Sequence, residues 1–256
     1  MGFAAVPAPG SWHAAWEEIA ALALAGGAYA WAASKHGVPR RRRWAFAAGL
    51  LIALAAVVTP LATLSLHYFL WAHLLQNVAL AEWAPALLVA GLSPALARAF
   101  SQRSFVELLV APYVALPVWL AVYGVWHVPA LYDAALRHRL VWDVEHLSYV
   151  VAGCLLWWPV LQDVPRKLSA GARAAYLFGA FVLASPLGLV LALLPSPIYD
   201  FYEQTGRLWG ISPLEDQELG GVVMAVSEGV LFFAVFAVFF VRFMAEEEAG
   251  YSQGDA

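Results

Sequence analysis

The sequence predicts an all-α membrane protein: a seven-transmembrane-helix bundle with its N-terminus outside and its C-terminus cytoplasmic. Three observations carry this. Of 256 residues, 62% are hydrophobic and only 12% charged, about half the charge of an ordinary soluble domain. The apolar residues form continuous runs long enough to cross hydrocarbon as helices, not the alternating segments of a barrel. Lys and Arg fall unequally on alternate connections.

The elements follow in order. The first span is read at roughly 14–34. The segment before it, MGFAAVPAPGSWHAAWEE, has no basic stretch ahead of an apolar core, so the first helix is expected to be its own insertion signal. The second span, 44–66, follows the basic run Arg40 to Arg43 and joins the third, 68–92, almost directly. Spans at 105–128, 141–162, 173–195 and 218–244 complete the set. Residues 1–245 form one transmembrane domain, and 246–256 a polar cytoplasmic tail expected to be unstructured. Pro60, Pro85, Pro112, Pro117, Pro186, Gly188, Gly220 and Gly221 lie inside spans and imply kinks and close helix contacts. The longest loop, 196–217, is rich in Tyr, Trp and Ile and is expected to pack down on the bundle.

Orientation rests on charge position. Lys35, Arg40, Arg41, Arg42, Arg43, Arg98, Arg103, Arg166, Lys167, Arg173 and Arg242 fall on one side; Arg137, Arg139 and Arg207 fall on the other. The first group is read as cytoplasmic. The net charge of −4 adds little. The basic run Arg40 to Arg43 is explained by topology, so the expected partners include lipid and exclude nucleic acid. The single cysteine, Cys154, excludes an internal disulfide and a Cys-rich metal site.

Six of the seven histidines lie towards the outer side. His73 sits about one turn into span three, His127 at the end of span four, and His146 one to two turns into span five. They come from different helices at similar depth and are expected to converge. Imidazole suits copper and zinc, and an intramembrane histidine is otherwise costly. Asp143 lies one turn before His146 on the same face, where a carboxylate can orient a ligating imidazole. Asn77 shares the His73 face. In span seven Gln217, Gly221, Met224 and Glu228 form a stripe, with Met224 a soft donor, and Asp216 precedes that helix. Cys154 reads as a small core residue. Glu82 and Glu228 lie near mid-membrane without a basic partner at their depth. Glu82 is expected on the opposite face from His73, docking against another helix or a partner chain.

These residues carry a resemblance. HLLQN…AP, WHVPALYDAAL, EHLSYVVAGCLLWWPVL and SPLEDQELGGVVM are similar to the polytopic CtaG-type cytochrome c oxidase assembly factors, over about 67 to 230. The resemblance implies seven spans and a role in maturing the copper-containing oxidase of aerobic bacteria, in the cytoplasmic (inner) membrane, with oxidase subunits as partners and copper as cofactor. It points to His73, His127, His146, Asp216, Gln217 and Met224. The chain departs from the family pattern at Asn77, where a second histidine is usual, at Ala225 and Ser227, and at Glu82. The expected function is an accessory or assembly protein, not an enzyme in the strict sense, with an outer-face copper site. One alternative is a stably bound, non-catalytic oxidase subunit docking through Glu82. A second is a seven-span zinc-dependent hydrolase with Asp216 handling the proton. Bis-histidine haem is also compatible with the shared depth. Span seven has no lysine for a retinal Schiff base.

Overall fold

The computed structural model describes residues 6–254, with side chains as far as Ala249. The described residues are about 80% helix and include no strand. Helix α1 runs Trp16–Lys35, α2 Arg40–Val58, α3 Pro60–His67 and α4 Leu70–Val78. A π-helical turn, Ala79–Trp83, leads into α5, Ala84–Gly91. Then come α6 Pro94–Ser101, α7 Ser104–Leu109, α8 Pro112–Trp126, α9 Pro129–Arg137, α10 Arg139–Leu161, α11 Ala170–Leu193, α12 Asp200–Glu203 and α13 Pro213–Gly254.

Local chemistry sets these boundaries. Proline opens α3, α6, α8, α9 and α13, where its missing N–H costs nothing and its fixed φ already suits a helix. Ser93 caps α6 by accepting from Leu96 N at 3.3 Å, and Ser169 caps α11 by accepting from Ala172 N at 3.2 Å.

Four stretches are long and apolar enough to cross a membrane: Leu70–Gly91, Arg139–Leu161, Ala170–Leu193 and Pro213–Ala249. Two further spans arise if bent pairs are each counted as one. These are α2 with α3, bent by 44°, and α8 with α9, bent by 73°. Helix α1 has 20 residues, enough for about 30 Å, but Glu17, Glu18 and Lys35 at its ends keep it outside that set. Thus α3 and α9 divert what the sequence read as straight crossings or loop. The polar tail differs as well. Helix α13 continues through it to Gly254, because Glu246 to Ala249 are strong helix formers.

The centre of the bundle is the broken helix α4–π–α5. Both of its ends are held by groups from elsewhere. Asp216 of α13 accepts from Leu70 N (2.9 Å) and Trp71 N (3.1 Å), the first two amides of α4. At the other end Arg42 donates to Ala90 O at 3.0 Å and to Leu92 O, and Gln162 donates to Val89 O at 2.6 Å. An anion at the helix N-terminus and a cation at its C-terminus satisfy orphan backbone groups and oppose the macrodipole. Close packing needs glycine at several places, among them Gly153 and Gly221. A Cβ on Gly153 of α10 would strike Ala81 O in the π turn, and one on Gly221 of α13 would lie 2.5 Å from Gly188 O of α11.

Candidate metal centre

The capped end of α4 presents His73 one turn into the helix. Glu145 and His146 of α10 meet it there. Among the described residues, one ligand atom from each of these three side chains falls in a group whose members all lie within 4.8 Å of one another. His73 and Glu145 are fully buried and His146 is 4% exposed. His73 Nε2 lies 3.6 Å from Glu145 Oε1, too far for a hydrogen bond. Asn77, one turn below His73, donates to Glu145 Oε1 at 3.4 Å.

The protonation of His73 follows from its partners. Its Nδ1 is 3.1 Å from the Tyr202 hydroxyl, and that hydroxyl donates its one proton to Ser65 O at 2.6 Å. Tyr202 can therefore only accept, so the proton on His73 sits on Nδ1 and Nε2 keeps a free lone pair. Burial holds the Tyr202 phenol well above its usual pKa, helped by Asp216 and Glu145, so it stays a neutral hydroxyl in this role. His73 Nε2 and both ring nitrogens of His146 are buried without a hydrogen-bond partner. A neutral imidazole has one lone pair, so His73 Nε2 and one nitrogen of His146, beside the Glu145 carboxylate, are a donor set that could hold a cation. A tetrahedral metal with bonds of 2.0–2.1 Å holds its ligand atoms about 3.4 Å apart, so closure needs only a small movement. Two imidazoles and a carboxylate suit Zn²⁺ and Cu²⁺ better than Cu⁺, which favours sulfur. Aromatic rings wall the cluster: Trp142 lies 4.2 Å from His146 and 5.1 Å from His73, and Tyr132 lies 4.8 Å from His73.

The other expected residues take different places. His127 stands outside the group. Its Nδ1 donates to Tyr123 O at 2.7 Å and its ring packs 6.0 Å from Tyr132. It caps α8 just where the chain turns into α9, which points the ring back along α8. Its Nε2 is also buried and unpartnered. Asp143 turns to Arg139, at 2.9 Å, and makes no hydrogen bond to His146. Asp216 acts on the backbone of α4 and so positions His73 without touching it. Gln217 accepts from Ile198 N at 2.9 Å and donates to Ser196 O at 3.2 Å. Phe201 N donates to Asp133 at 3.3 Å. Together these fasten the 196–217 loop, and with it Tyr202. Met224 is buried in the main core.

Glu82 takes the first of its two expected arrangements, against another helix and not a partner chain. It is fully buried inside this chain, with Glu228 the charged group that faces it, so it presents no docking surface. Tyr123 donates to Glu228 Oε2 at 3.4 Å.

Glu145 and Tyr202 carry the site and are absent from the sequence reading. Consecutive helix positions point about 100° apart, so a search by three- and four-residue spacing from His146 passes over Glu145. A signal was present: Glu145 is an ionisable residue inside an apolar run.

The fold and this site define a polytopic helical membrane protein with a buried cluster of two histidines and a carboxylate at one end of its bundle. The chain belongs to the cytochrome c oxidase caa3 assembly factor family, whose model matches residues 24–246. A search of curated proteins finds no match, and a search of solved structures finds none.

Proposed function

We propose that this chain is a copper-handling assembly factor that holds one cation between His73, Glu145 and His146 on its way to a cytochrome c oxidase. In this reading α1 completes a seven-span bundle in a bacterial cytoplasmic membrane, with the histidine end outside. The eleven-to-three division of Lys and Arg supports that sidedness. Oxidase subunits are the clients, and the role is accessory. The observation that carries the metal reading is the buried group of three donors within 4.8 Å of one another, in which His73 Nε2 and both His146 nitrogens have no hydrogen-bond partner.

Zinc is the second reading, favoured by Glu145. Two histidines and a glutamate form a known zinc ligand set, and such a site with an open position supports hydrolysis. The permanent-subunit reading loses Glu82 as a docking residue, because Glu82 is internal.

The test is metal analysis of the detergent-purified chain, wild type against His73→Ala and His146→Ala, after equilibration with copper and zinc in turn. One equivalent of copper in the wild type and none in either variant is expected. Zinc bound with hydrolysis of amide or ester substrates would move the assignment to the second reading. No retained metal in any of the three would reject both.

A further inference from the structure

A cavity of about 370 Å³ lies between α1, α2 and α10, and its polar lining is confined to one end. There it meets Glu17, Glu18, Asp143 and His146; below them it is walled by apolar residues such as Leu22, Leu50, Leu80 and Val150. We propose that this acid-lined mouth is the entry port through which a metal cation reaches His146. The inference rests on the metal reading above and adds the route.

Three features support it. Charge comes first. Glu17, Glu18 and Asp143 are all gathered on Arg139, which lies 3.0 Å from Glu17 and 2.9 Å from Asp143 and also pairs with Glu18. Three carboxylates against one guanidinium leave a mouth of net charge −2. His13, 3.5 Å from Arg139, does not offset this. Burial lowers its pKa, and Arg139 lowers it further, so it is neutral at pH 7. The second feature is a gradient of exposure. The Glu17 side chain is 69% exposed, Asp143 28% and Glu18 13%, a stepwise descent from solvent to His146 at 4%. The third is the terminus. His146 lines the cavity with both ring nitrogens unpartnered, and His73 and Glu145 stand behind it. Because the deeper wall is apolar, a cation has no further stop. Arg139 fills the mouth as an internal counter-ion, and an incoming cation takes over its carboxylates.

Like-charged clefts raise association rates of an opposite charge by about 10- to 10³-fold, in a salt-dependent way. The test is stopped-flow mixing of copper(II) sulfate with the full-length protein in detergent. Quenching of tryptophan emission is the readout, since Trp142 lies 4.2 Å from His146. The combined Glu17→Gln, Glu18→Gln, Asp143→Asn variant should bind the same amount of copper, with an association rate at least tenfold lower and almost independent of salt. Arg139→Gln should bind faster than wild type, and it keeps the test open if the triple variant does not fold. Full copper binding with an unchanged rate in the triple variant overturns the port and leaves the metal site standing. A slower or unchanged rate for Arg139→Gln likewise counts against the port. Absence of copper binding by the wild type overturns the metal reading, and the port with it.

Discussion

Replacing Asp216 by Ala should unfasten the helix that carries His73. The Asp216 carboxylate is fully buried and holds the two leading amides of α4, Leu70 N at 2.9 Å and Trp71 N at 3.1 Å. Alanine supplies no acceptor, and a buried unsatisfied N–H costs about 1–3 kcal/mol. Two such groups set an upper limit of about 6 kcal/mol. Water entering beside the half-buried Trp71 relieves part of that, so about 2–4 kcal/mol is expected, at or above the usual loss of an N-cap. For a chain of this size the fall in Tm is roughly 4–16 °C. Asp216→Asn keeps one acceptor but loses the charge, and should fall about halfway. Thermal unfolding in detergent, followed by tryptophan fluorescence, measures both. Copper binding should weaken in step, because α4 then presents His73 less firmly. An Asp216→Ala protein that melts within 1 °C of wild type would refute the claim that this carboxylate pins α4.

Other perturbations follow from the same geometry. Asn77→His places an imidazole beside Glu145, in reach of the cluster, and should tighten copper binding in a competition titration, since imidazole is a better ligand than an amide. Tyr202→Phe removes the acceptor that fixes the His73 tautomer and should weaken copper binding by about 10- to 100-fold, the usual effect of losing a group that orients a ligand. The Tyr202 phenol is held well above its ordinary pKa by burial. Its bond to Ser65 is therefore kept through the neutral and mildly alkaline range, and the Tyr202-dependent part of binding should be flat there, to be lost only where the phenol ionises. Gly153→Ala drives a methyl group onto Ala81 O and Pro85, with backbone that cannot give way. A loss of about 1–3 kcal/mol or more, visible as poor recovery of folded protein in size-exclusion chromatography, is expected.

Much of the architecture was legible because bilayer thickness dictates the length of an apolar run. The long crossings at Leu70–Gly91, Arg139–Leu161, Ala170–Leu193 and Pro213–Ala249 match runs visible in the sequence. His73 and His146 were also legible as neighbours, since depth can be counted in turns from a span's end. What escaped depends on direction rather than depth. The 73° turn between α8 and α9 sends His127 back towards Tyr123, and no periodicity reports such a bend. The π turn at Ala79–Trp83 shifts the helical phase exactly where Glu82 lies, so a uniform period could not say that it faces Glu228. The role of Asp216 involves two backbone amides 145 and 146 positions away, which leave no mark in a side-chain pattern.

The most direct test of the central claim is X-ray absorption at the copper edge, on full-length protein loaded with one equivalent of copper. The account predicts a shell of nitrogen and oxygen ligands at about 2.0 Å, with multiple scattering from two imidazoles, and no bound copper in His146→Ala. A shell of sulfur at about 2.3 Å, or a spectrum unchanged by His146→Ala, would place the copper elsewhere and contradict the account.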